Sequence, residues 1–376
     1  MTSRVHLNTA GAGLPAPGVL DAMSEYLAAE AALGPYEAEA SREEDLTRTV
    51  YQRLARLIGA SPDEVALFGS ATDAWCRAVC TLELPAGSRI WTGPYEYAGN
   101  LIALQELCRR RRCTLEVVPA LPGGDLDLDW MRAELDERVA LVSMVYLPSG
   151  MGVVQPVAEI GALLRDSAAV YVVDACQAVG QLPIDVATIG CHVLTAAGRK
   201  FLRGPRGSGF GYLRRDLWPR IRPPFHDLHV AEVRSRDEYD VDRGRAIQFE
   251  TAERSNAVVL GLLAAAEHAL STPDGATAEV YDALVAAVAE IPGTVLLAPG
   301  ENRAGILSFV HDRVTPDAIR DGLAAHGVTA WVGVGAHTPL YLPGAGVDRF
   351  VRTSVHHYTT LEQIAVFRAA LRTVLG

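Results

Sequence analysis

The sequence predicts an α/β fold in two domains, a large one on a mostly parallel central sheet and a smaller α+β one at the C-terminus. Three observations carry this expectation. Short β-branched runs alternate with longer helical patterns through the first half, which is how the βα units of a parallel sheet read in sequence. Near Glu253 the pattern changes to a long apolar-periodic helix followed by shorter strands. At 376 residues and 49% hydrophobic, the chain can bury a substantial core and is longer than one compact unit usually is. The expected division is 20–253 for the large domain, and 1–19 with 254–376 for the small domain and its N-terminal arm.

The elements follow in order. The early segment HLNTAGAGLPAP is too rich in Gly, Ala and Pro for a helix and reads as an extended arm running into Val19. Strands are expected at Glu64–Phe68, Arg89–Thr92, Thr114–Pro119, Val139–Tyr146, Val170–Asp174 and Val193–Ala196. Between them lie helices at Thr72–Leu82, Gly99–Arg111, Asp127–Leu135 and Pro156–Arg165, several opened by Thr, Asp or Pro as a helix start should be. The hairpin-like GSGFGYLRR adds an antiparallel strand to the same sheet. The second half offers a helix from Arg254 to Leu270, strands near Thr294–Leu297, Ile306–Val310 and Val328–Val332, and a closing helix from Thr360.

Composition excludes several function classes. A formal charge of −11 argues against nucleic-acid binding, which needs concentrated positive charge. The basic run Arg109–Arg112 closes a helix, where cations favour the negative end of the dipole. No apolar stretch reaches the ~20 residues that span a bilayer, and MTSRVHLNTAGAG lacks the order of a signal peptide, so a cytoplasmic location is expected. The six cysteines show neither zinc-site pairing nor disulfide density, and no metal is expected.

Two segments carry chemistry. In VYVVDACQAVG a buried strand ends in Asp174, with Gln177 three residues on, and strand carboxyl ends are where α/β proteins bind ligands. A buried carboxylate needs a partner, and the pyridine nitrogen of pyridoxal 5′-phosphate (PLP) suits one, since an ionised Asp keeps that nitrogen protonated. Alone, such an Asp reads more readily as a cap or loop carboxylate. Twenty-six residues later, LTAAGRKFLRGPRGSGF holds Lys200, the single lysine among 34 Lys+Arg residues, after a strand and before a glycine-punctuated turn. An aldehyde cofactor requires an unprotonated lysine as its nucleophile, and Arg199 beside it helps to depress the lysine's pKa. The other reading is a surface lysine in a loop. A third element, LFGSATDAWCRAV, brings Ser70, Ala71 and Thr72 to a helix N-terminus, either an anion site for a phosphate or a plain helix cap. In GPYEYAGN, Tyr97 is placed to stack on a cofactor ring or to fill the core.

Together these pieces resemble the class V aminotransferase group of fold-type I PLP enzymes, which includes cysteine desulfurases, selenocysteine lyases, kynureninase and isopenicillin N epimerase. The similarity rests on D-A-C-Q, on the 26-residue spacing, and on G-R-K followed by G-P-R-G-S-G. It implies that Asp174 pairs with the pyridine nitrogen, that Gln177 bonds the phenolic oxygen, and that Lys200 forms the Schiff base. It also implies that Ser70, Ala71 and Thr72 hold the phosphate. The stretch FVRTSVHHYTTLEQI is similar to the family's R-x-S-x-x-x-Y-N-T, in which the arginine grips a substrate α-carboxylate, and this marks Arg352. A homodimer with active sites near the interface is implied as well.

The departures steer the function. Cysteine desulfurases need a nucleophilic cysteine shortly before the carboxylate-binding arginine, and this chain has no cysteine after Cys191. Arg199 replaces the histidine that often precedes the lysine, and Ala197 replaces a phosphate-cup hydroxyl, so Arg199 itself becomes a candidate for phosphate contact. Where many relatives read F-E-x-G-T, the chain reads Phe249-Glu250-Thr251-Ala252-Glu253-Arg254. These features are similar to the epimerase-like branch that contains hercynylcysteine sulfoxide lyase. The expected activity is carbon–sulfur β-elimination on an S-substituted cysteine or its sulfoxide, a small-molecule amino-acid substrate. The alternatives are an aminotransferase, an epimerase or a decarboxylating deaminase, which share the early steps. The arm His6–Gly13, Pro35-Tyr36, His226–His229 and the loop Gly335–Pro343 are expected to line the pocket.

Overall fold

The computed structural model describes residues 4–223, 225–272 and 278–376. Seven strands form the central sheet: β1 (Val65–Phe68), β2 (Arg89–Thr92), β3 (Thr114–Val117), β4 (Val139–Val145), β5 (Val170–Asp174), β6 (Val193–Ala197) and β7 (Gly209–Leu213). Their order is β1-β7-β6-β5-β4-β2-β3, and β7 alone runs against both of its neighbours. The strands β5 and β6 are buried at every residue, as expected of a parallel sheet covered on both faces. On one face the core gathers the helices Val19–Leu33, Val50–Ile58, Val157–Leu164 and Asn256–Ser271. On the other it gathers Ala71–Val79 and Ala98–Arg111 with Trp218 and Phe249.

The sequence expectation and the observed elements agree to within a few residues for all six parallel-type strands and for the inserted antiparallel one. The basic run does close a helix: Arg109 and Arg110 pair with Glu106, and Arg112 turns left-handed at φ 56° to end it. Helix Asn256–Ser271, beyond the expected boundary at 253, buries its apolar face against Val19–Leu33 and Val50–Ile58 in the core of the large sheet.

Four more strands, β8 (Thr294–Leu296), β9 (Ile306–His311), β10 (Trp331–Val334) and β11 (Arg349–Ser354), build a second sheet in the order β8-β9-β11-β10, antiparallel throughout. Helices Ala278–Ala289, Pro316–Ala325 and Leu361–Leu375 cover it. The expected single strand Val328–Val332 divides at Ala330, because its two halves serve different partners: Val328–Thr329 pairs with Val5–His6 of the arm, and β10 pairs with β11. The arm then crosses from the small sheet to the lysine loop. The Ala10 N–H donates to Ser354 Oγ at 2.9 Å and the Gly13 N–H to the Arg199 carbonyl at 2.9 Å. A Cβ at Gly13 would lie 2.6 Å from the Lys200 carbonyl oxygen, so only glycine lets the arm pass this close.

Candidate active site

The carboxyl ends of β4, β5 and β6 open on a cavity, the position at which ligands bind in open α/β sheets. Asp174 ends β5 and faces this cavity while only 7% exposed. Lys200 lies in the turn after β6 and lines the same space. Gln177 lies on the turn that follows Asp174. Its Nε2 donates to the Ala10 carbonyl at 3.0 Å, and its buried Oε1 has no partner among the described residues. One amide hydrogen therefore holds the arm, and the second remains for the cavity.

Ser70 is the N-cap of helix Ala71–Val79, its Oγ accepting from the Asp73 N–H at 3.1 Å. The cap reading of this segment is thus realised, and the same hydroxyl still has its proton to donate. Asp73, which would oppose an anion at this helix end, is turned back to Arg77 at 2.8 Å. Gly209 on β7 lies under the cap, where a Cβ would sit 2.5 Å from the Ser70 carbonyl carbon and 2.6 Å from the Ala71 nitrogen. Ser70, Ala71 and Thr72 line the cavity with Tyr97, which caps helix Ala98–Arg111, and with the half-buried Arg199. Arg199 Nη1 donates to the Gly11 carbonyl of the arm.

A second, outer cavity shares Tyr97, Ser149, Gln177, Arg199 and Lys200 with the first and adds Asn8, Trp331, His337 and Arg352. Arg352 is held on β11, with Nη1 donating to the Ser149 carbonyl at 3.0 Å and Nη2 to Asn8 Oδ1 at 3.2 Å, while its buried Nε has no partner among the described residues. Burial, with Arg199 adding repulsion, lowers its pKa to about 10. No Asp or Glu lines this outer cavity among the described residues. A buried guanidinium held only by neutral oxygens is a ready receptor for a carboxylate.

The pocket-lining expectation divides. Asn8, Ala10, Gly11 and Ala12 of the arm and His337 of the loop line the outer cavity. Pro35, Tyr36 and His229 instead line a separate cavity against Glu250–Arg254. There Glu250 is buried and fully engaged, accepting from the Leu67 N–H at 2.7 Å, the Tyr51 hydroxyl at 3.0 Å and Arg254 Nη1 at 2.9 Å. The site also contains two residues that sequence reasoning missed. Asn100 Nδ2 donates to Asp174 Oδ2 at 2.9 Å and to Glu96 Oε1 at 3.0 Å, joining a second buried carboxylate to the first. Their i,i+4 spacing, running from Glu96 into helix Ala98–Arg111, is the signal the sequence carries for this pair.

The family model for class-V aminotransferases matches residues 5–367. A probable cysteine desulfurase 2 of Mycobacterium leprae is 30% identical over 364 residues, covering 92% of this chain and 85% of that protein. The chain therefore belongs to the class-V aminotransferase family and is a PLP-dependent enzyme. Among solved structures, the apo cysteine desulfurase of Thermococcus onnurineus NA1 superposes with a TM-score of 0.89 at 22% identity, covering 99% of this chain and 94% of that one. A complex of the cystine C–S lyase C-DES with its reaction product cysteine persulfide gives 0.85 at 22%, covering 98% and 97%. Both share the fold. No helix among the described residues is long and apolar enough to cross a membrane.

The residues present fit PLP. A buried carboxylate faces the cavity from β5, a lysine shares the space with it, and a helix N-terminus with free hydroxyl donors closes one end.

Proposed function

We propose that this enzyme is a carbon–sulfur lyase that performs β-elimination on an S-substituted cysteine or cysteine sulfoxide. The observation that carries the reading is the segment before Arg352: the loop Gly335–Pro343 brings His337, not a thiol, to the outer cavity, and no cysteine follows Cys191. Sulfur transfer to a protein cysteine at that place therefore has no acceptor, and the sulfur must leave with its substituent. The description of one fold neighbour as a cystine C–S lyase is in keeping with this.

When bound, PLP supplies an electron sink conjugated with the substrate's Cα. In this reading Arg352 takes the α-carboxylate in place of the neutral oxygens that now hold it. Lys200, which would tether the cofactor when no substrate is bound, would serve as the base that removes the Cα proton. The electron pair from that C–H bond forms the Cα–Cβ double bond as the Cβ–S pair departs on sulfur, giving a thiolate, or a sulfenate from a sulfoxide. The aminoacrylate released hydrolyses to pyruvate and ammonia. Of the residues that line the cavity, Asp174 would hold the ring nitrogen's proton, Gln177 would bond the phenolic oxygen, Tyr97 would stack on the ring, and Ser70, Ala71 and Thr72 would hold the phosphate, with Arg199 as a further phosphate contact.

The test is incubation with S-alkylcysteines and their sulfoxides in the absence of any keto acid. Stoichiometric pyruvate and thiol or sulfenate are expected. Amino transfer to an added keto acid with no pyruvate would replace the lyase by a transaminase.

A further inference from the structure

Glu96 is 1% exposed and every acceptor position it offers is used. Its Oε2 accepts from Thr92 Oγ1 on β2 at 2.8 Å and from Ser143 Oγ on β4 at 3.2 Å; its Oε1 accepts from the Tyr97 N–H at 2.8 Å and from Asn100 Nδ2 at 3.0 Å. All four donors are neutral, and no arginine or lysine pairs with this carboxylate among the described residues. The charged group that acts on it is a second carboxylate, Asp174, whose other neighbours are the Cys176 N–H at 2.9 Å and the Cys176 thiol, which burial and Asp174 keep protonated. Asn100 joins the two acids and is itself only 3% exposed. Because its Nδ2 spends one hydrogen on each, its amide has a single workable orientation.

Two linked buried carboxylates with no cation ion-paired to either among the described residues are an unfavourable arrangement for a fold that gains nothing from it. Pairing would cure it, and the pair opens on the cavity, which Asp174 and Asn100 border and Glu96 does not. We propose that Glu96 is a positioning residue for PLP: through Asn100 it fixes the Asp174 carboxylate and adds negative charge behind it, so that the ring nitrogen holds its proton. The cation missing from the Glu96–Asn100–Asp174 chain is the protonated pyridine ring. This inference rests on the PLP assignment and is independent of which bond of the substrate breaks.

Glu96→Gln removes the charge and keeps the shape, since the Thr92 and Ser143 hydroxyls can turn to accept from the new amide. Asn100→Ala cuts the chain and leaves the Glu96 carboxylate with its Thr92, Ser143 and Tyr97 donors. The holoenzyme is prepared with PLP labelled with ¹⁵N in the ring, and the ring-nitrogen shift is followed from pH 6 to 10, alongside the PLP dissociation constant. Both variants are expected to release the ring proton at a pH lower by roughly one unit and to bind PLP roughly tenfold more weakly. Glu96→Asp, which keeps the charge, is expected to recover most of the proton affinity. If Glu96→Gln folds and neither quantity moves, Glu96 merely caps its helix and the proposal falls. Should that variant not fold, an unchanged Asn100→Ala overturns it equally. A wild-type chain that bound no PLP would remove both assignments, whereas absence of pyruvate would remove only the lyase.

Discussion

Glu96 and Glu250 are two buried acids with opposite construction. Burial pushes both upward, to about 7. Glu250 is answered on the spot: Arg254 meets it at 2.9 Å, Tyr51 and the Leu67 N–H complete its shell, and Arg254 also donates to the Leu46 carbonyl. The result pins the 249–254 segment to β1 and to the helices that follow the arm. Glu96 has neutral donors only, and its one charged neighbour repels it. A carboxylate with its cation in place belongs to the architecture. One whose cation is lacking, and whose chain of hydrogen bonds ends at a cavity, belongs to a ligand.

The largest effect that can test this contrast lies on the architectural side. Arg254→Met leaves Glu250 buried without its hydrogen-bonded cation, and losing one partner of a buried pair costs about 3–5 kcal/mol. Chemical denaturation should show a loss of that size, while the ring-nitrogen titration of the folded holoenzyme stays as in the wild type. A variant that shifted the titration would mean the two networks are coupled across β1 and β7, and the separation drawn between them would be wrong.

Next comes Asp174→Asn, the acid of the pair that borders the cavity. It keeps an oxygen for the Cys176 N–H but puts an amide against Asn100 or the ring, and turnover should fall by roughly a hundredfold or more. Glu96→Gln, acting at one remove, should cost less. Equal losses would indicate that the two carboxylates and Asn100 work as a unit in which neither dominates, a result that a double variant with non-additive cost would establish.

The sequence made one side of this comparison legible and hid the other. Asp174 and Lys200 are visible because strand ends, glycine turns and fixed spacing are local patterns. The Glu96 chain is not, because it is assembled from β2, β4, β5 and a helix start, four segments that meet only in the fold. A different reason hid β11. Its residues Arg352, Thr353 and Ser354 are buried polar groups in the interior of the small sheet, so the strand lacks the alternation that marks a half-buried one.

The smallest effect is the most discriminating, and its first half needs no cofactor. In the PLP-free protein a glutamate raised from 4.5 to about 7 binds its proton more tightly folded than unfolded. Its contribution is therefore present in full below pH 4.5 and is lost as the pH rises through 7, about 2 kcal/mol between pH 5.5 and 8. Glu96→Gln should abolish that share, so the difference in unfolding free energy between variant and wild type should grow in the variant's favour from pH 5.5 to pH 8. PLP should then reverse the order, since the protonated ring supplies the cation that the ionised glutamate lacked, and wild type should gain more stability from the cofactor than the variant does. Denaturation at the two pH values, with and without PLP, gives four differences. If Glu96→Gln were instead less stable than wild type at pH 8 without PLP, the ionised glutamate would be a structural acid like Glu250, and its neutral shell would be sufficient by itself.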